Sequence, residues 1–137
     1  MIEGLTSLYH NLNNQKGTKV KLEILERTTL QQILPRQGDS ILTMRTVRDL
    51  RRKLEFTEEE ITNWNMHRGD PNVHIGGDEN LPMESPDAIY WNNVDTSAEF
   101  EFSAKQREEV VKAIEKLAED GELTEAHLSL CDKFGLE

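Results

Sequence analysis

The chain has 137 residues, 36% of them hydrophobic and 31% charged, with a formal net charge of -10. That length supports one core rather than two, and Cys131, the only cysteine, excludes an intramolecular disulfide and argues against a cysteine-built zinc site. The start lacks the basic and apolar segments of a signal peptide, and no run approaches about eighteen apolar residues, so the expectation is a cytoplasmic protein with no membrane association.

Residues 1–18 place Ile2, Leu5, Leu8, Tyr9 and Leu12 at helical spacing before a breaker cluster, and read as an N-terminal arm or short helix. Residues 19–137 read as a single α+β domain. The apolar positions of 20–34 predict a helix that Pro35 and Gly38 close. Ile41 and Leu42 suit a short strand, after which Thr43 is the expected N-cap of a helix reaching Leu54. Met44, Val47, Leu50 and Leu54 share one face of that helix, and Arg45, Arg48 and Arg52 form a stripe on the other. Thr57 with Glu60 is a capping box that opens a third helix to about 65. Residues 67–87, rich in Pro, Gly, Asp and Asn, predict a long irregular loop, and 88–102 a β-hairpin with a polar tip. Ser103 caps a helix to about 119, Asp120-Gly121 ends it, and Thr124 caps a last helix bearing Leu128, Leu130 and Phe134. The expected fold is mostly helical α+β, with two helix-turn-helix-like units flanking a β-hairpin. Gly38, Leu42 and Thr43 in the first unit are answered by Gly121, Leu123 and Thr124 in the second.

Charge is segregated along the chain. Residues 19–54 sum to +5, 55–94 to -8 and 95–137 to -7, and Arg45, Arg48, Arg51, Arg52 and Lys53 fall within nine positions. An anionic partner must therefore be met through 19–54, while the acidic portions have the means to satisfy those cations internally or across a homo-oligomer contact. The most enzyme-like group is His67, Asp70 and His74, followed by Asp78 and Glu79, which has the donors for a divalent metal but not the spacing of a metal motif. Glu58, Glu59 and Glu60 point 100° apart on a helix and suit helix capping better than acid–base work. Cys131 sits four residues after His127, where a buried apolar role outweighs a thiolate–imidazole pair. No catalytic set, cofactor or metal site is expected.

The order of three helices and a hairpin resembles a winged helix-turn-helix, which implies a DNA-binding regulator. The chain departs from that pattern where the groove-reading helix carries Glu58, Glu59 and Glu60 and the wing strands carry Glu99 and Glu101. The run 30–61, with Ile33-Leu34-Pro35, Gly38, Thr43, the basic helix and Phe56-Thr57-Glu58-Glu59-Glu60, resembles small proteins of phages and prophages. That likeness extends to Leu123-Thr124 and Leu128-Ser129-Leu130; it implies a mobile-element accessory protein and carries over no catalytic residues. The leading expectation is a non-enzymatic protein that binds a protein partner through Arg45, Arg48 and Arg52. A nucleic-acid-binding regulator and a metal-dependent enzyme using His67, Asp70 and His74 stand behind it.

Overall fold

The computed structural model describes residues 18–136, and the arm expected over 1–18 lies outside them except for Thr18. In chain order the elements are β1 (Thr18–Leu22), α1 (Ile24–Ile33), α2 (Ile41–Leu54), α3 (Glu58–Trp64), β2 (His67–Arg68), β3 (Ile89–Tyr90), β4 (Ala98–Phe102), α4 (Ala104–Glu119) and α5 (Glu125–Lys133). The fold is α+β, and the chain divides into two compact units, 55–96 and the remainder. No helix among the described residues is long and apolar enough to cross a membrane.

Three local expectations are corrected. The helix expected from Val20 begins only at Ile24, because Lys19-Val20-Lys21-Leu22 alternates with period 2: Val20 and Leu22 are buried and the lysines exposed. Ile41 and Leu42 are the first turn of α2 rather than a strand. Its cap is Ser40, whose Oγ accepts from the Thr43 N–H at 3.0 Å, so Thr43 lies inside the helix. The segments expected to pair as a hairpin both contain strands but pair elsewhere. β4 runs antiparallel to β1, from Thr18 opposite Phe102 to Leu22 opposite Ala98, and β3 runs antiparallel to β2. The β1–β4 register sets Lys19 against Glu101 and Lys21 against Glu99 on the wet face and joins Val20, Leu22 and Phe102 in the core.

The larger unit is an internal repeat, β1-α1-α2 followed by β4-α4-α5, in which the strands and the first residues of α1 and α4 stand 80 residues apart. Leu22 and Phe102, Leu30 and Val110, Leu34 and Ile114, Leu50 and Leu130, and Leu54 and Phe134 are buried pairs at that spacing. The packing exchanges in the same way: β1 lies on β4, α1 on α5 and α2 on α4. So do the polar ties. Arg27 donates from Nε and Nη2 to the Leu54 carbonyl at 3.3 and 3.2 Å, and Arg107 from Nη2 to the Phe134 carbonyl at 2.7 Å. Lys53 Nζ donates to the Glu101 carbonyl at 2.6 Å, and Lys133 Nζ to the Lys21 carbonyl at 2.7 Å. Each arginine satisfies a carbonyl orphaned at a helix end. An approximate two-fold relation between the halves follows from these exchanges.

In the smaller unit α3 opens on the capping box read from the sequence, Glu60 N–H to Thr57 Oγ1 at 3.1 Å and Thr57 N–H to Glu60 Oε1 at 2.9 Å. Asn65, left-handed at φ 52°, closes it. Residues 67–87 are largely irregular, interrupted by β2, a 3-10 turn at Ile75–Gly77 and a bridge between His74 and Met83. Gly69 is required by close approach, since a Cβ there would stand 1.8 Å from the Ser85 carbonyl oxygen. Only Glu84 and Thr96 are buried in this unit, whereas Ile61, Val73, Leu81, Met83, Ile89 and Val94 are exposed.

Candidate docking face on α2

The basic residues of 19–54 do different work. Arg27 is buried, 1% exposed, and lies 4.8 Å from the centre of the Phe100 ring. Arg51 donates to the carbonyls of Gln31, Leu34 and Pro35 at 2.9, 2.5 and 3.2 Å, closing the end of α1. Lys53, beyond its bond to β4, donates to Gln106 Oε1 at 2.9 Å. These cations stitch the repeat together. Arg45, Arg48 and Arg52 remain exposed, as the sequence predicts.

With Ile41 the three arginines occupy positions i, i+4, i+7 and i+11, a straight stripe within an arc of about 60°, opposite Val47, Leu50 and Leu54. Ile41 is 74% exposed and Leu42 beside it 63%. The only ion pair of the stripe among the described residues is Arg48 Nε to neighbouring Asp49 Oδ1 at 3.5 Å, between two well-exposed side chains. A shallow hollow of about 670 Å³ opens at the N-terminal end, lined by Gly38, Asp39, Ser40, Ile41, Met44, Arg45 and Arg48. The apolar end of the stripe was hidden in the sequence because Ile41 and Leu42 read as a strand. Ser40, a stronger cap than Thr43, was the available signal.

His67, Asp70 and His74 do not come together as a ligand set. His67 Nδ1 donates to the Asn65 carbonyl at 2.8 Å, and its Nε2 lies 3.1 Å from both oxygens of Glu84. Glu84 also accepts the Asp70 N–H at 3.0 Å, and the imidazole stacks on Tyr90 with centroids 5.9 Å apart. The Asn65 carbonyl first, and Glu84 second, raise the His67 pKa above its ordinary 6.5. The Asp70 N–H first, and His67 second, lower that of Glu84. With both ring nitrogens facing acceptors, the imidazolium form is favoured and no lone pair points to a metal or a substrate proton. His74 Nδ1 donates to the Leu81 carbonyl at 2.6 Å, and Asp70 Oδ1 accepts the Asn72 N–H at 2.9 Å. Among the described residues no three His, Cys, Asp or Glu side chains converge on a cation position. Cys131 is buried in the core, and His127 Nδ1 accepts the Thr124 N–H at 3.0 Å as part of the α5 cap. Glu84 carried no sequence signal, since its partner lies 17 residues away.

No family model, curated protein or solved structure matches the chain, so no role is carried over to the α2 face from another protein.

Proposed function

We propose that the protein is a non-enzymatic interaction module whose α2 face docks an acidic protein surface. The observation that supports this is the division among the cations: Arg27, Arg51 and Lys53 bond to backbone carbonyls, whereas Arg45, Arg48 and Arg52 line up with Ile41 on the exposed side of one helix. Arginine is enriched in protein interfaces, and its forked donors match carboxylates. From Ile41 to Arg52 the stripe runs about 16 Å, some three helical turns, which suits one facing helix of a partner.

The test is fluorescence anisotropy of a labelled peptide carrying Glu and Leu on one helical face, titrated with the wild type and with R45E/R48E/R52E. Three exposed pairs at about 0.5 kcal/mol each amount to roughly tenfold tighter binding by the wild type. That gap is expected to narrow as added salt screens the charges. Equal binding by a folded triple variant defeats the reading. A mixed-sequence DNA duplex is the competing ligand: tighter binding to it, with a steep negative salt slope, would move the role to nucleic acid.

A further inference from the structure

The internal repeat gives the α2 face a counterpart. Eighty residues beyond Arg45, Arg48 and Arg52 stand Glu125, Leu128 and Asp132, all exposed on α5. The inner faces of the two helices are matched by Leu50 with Leu130 and Leu54 with Phe134, buried at the same spacing, so the outer faces correspond in geometry as well as in number. One face is Arg-Arg-Arg and the other Glu-Leu-Asp at the same i, i+3, i+7 positions. Two surfaces related by the repeat thus carry opposite charge.

We propose that the α2 face of one copy docks on the α5 face of a second copy of this chain. This rests on the reading of α2 as a docking face for acidic protein and names the partner. Charge complementarity carries it: among the described residues neither Arg45 and Arg52 nor Glu125 and Asp132 form an ion pair, whereas Lys133 and Glu26, Lys105 and Glu108, and Lys112 and Glu109 are already matched. Whether the helices meet parallel or antiparallel, the end arginines face the end carboxylates. Arg48 then meets Leu128, which its aliphatic stem can cover. Each copy offers one face of each kind, so copies join either reciprocally in a closed dimer or head-to-tail in a larger ring or a chain.

Sedimentation equilibrium across a concentration series tests this with two variants, R45E/R52E and E125R/D132R, each checked for folding by circular dichroism. The wild type is expected to gain mass with concentration, and each variant to lose association by about tenfold or more. An equimolar mixture of the variants is expected to recover it, because the reversed α2 face of one meets the reversed α5 face of the other. The net charge of -10 becomes -14 in the first variant and -6 in the second. General repulsion alone would therefore make the second associate more than the wild type, and a fall in both identifies the faces. A wild type that stays monomeric, variants that associate like it, or a mixture without recovery overturns the proposal. If a monomeric wild type still binds the Glu and Leu peptide through its arginines, only the identity of the partner fails. If R45E/R48E/R52E also leaves peptide binding unchanged, the docking face fails with it.

Discussion

The repeat unit and the 55–96 unit are stabilised by different means. All the buried hydrophobic side chains among the described residues belong to the former, in matched pairs such as Leu50 and Leu130. The 55–96 unit buries Glu84 and Thr96 and leaves six large apolar side chains exposed. Charge divides in the same way, for 55–96 holds ten Asp or Glu against Arg68 alone, a net of -9 in a chain of -10. The difference teaches that one chain can join a larger unit resting on apolar packing, where lost volume is costly, to a smaller unit resting on polar contacts, where the His67 and Glu84 pair gives stability a modest dependence on pH.

The largest effect that sharpens this contrast is loss of core volume. Leu50→Ala and Leu130→Ala should each cost about 2–5 kcal/mol in chemical denaturation, while Ile89→Ala in the other unit should stay within about 0.5 kcal/mol. Comparable costs would abolish the distinction. Next come the buried cations. Arg27→Met leaves the Leu54 carbonyl without this donor and is expected to cost about 1–3 kcal/mol, with a smaller loss for its counterpart Arg107→Met, which is only part-buried. Gly69→Ala forces the Ser85 carbonyl aside and should cost about 1–3 kcal/mol, felt as faster amide exchange within 55–96 and unchanged exchange in α2 and α4. The smallest effect is on pH. The raised His67 pKa means its contribution is complete below about 6.5 and fades as pH rises through the higher folded value. The lowered Glu84 pKa means its contribution is complete above about 4.5 and fades as pH falls through the lower folded value. Amide protection in 55–96 should therefore be greatest between those limits, and Glu84→Gln should flatten the profile. A profile in Glu84→Gln that matches the wild type would remove the pair as its cause.

Local chemistry made much of this legible in the sequence. The Thr57 and Ser103 caps, the turn at Gly121, now at φ 70°, and the outward arginines of α2 all depend on neighbours within a few residues. What escaped depends on distant partners. β1 hid as the start of a helix because its partner strand is 80 residues away, and β4 looked like half of a hairpin for the same reason. The repeat was visible only as Gly38, Leu42 and Thr43 echoing Gly121, Leu123 and Thr124, from one to three residues out of step with the spacing that aligns Arg27 with Arg107. His67 looked like a ligand because Glu84, which occupies it, is remote in the chain.

The charges along the β1–β4 ribbon also decide which strand each one accepts. Were β1 to pair with a second β1 about Val20, Lys19 would face Lys21; β4 paired with itself about Phe100 would set Glu99 against Glu101. Only the mixed ribbon brings lysine opposite glutamate on both sides, a preference worth roughly 0.2–1 kcal/mol per cross-strand pair. During synthesis the first half of the repeat therefore emerges with a strand that repels its own kind and must await its complement, 80 residues later, to close the frame. Partner choice is thus written into the ribbon's solvent-facing side, while the apolar side supplies the adhesion.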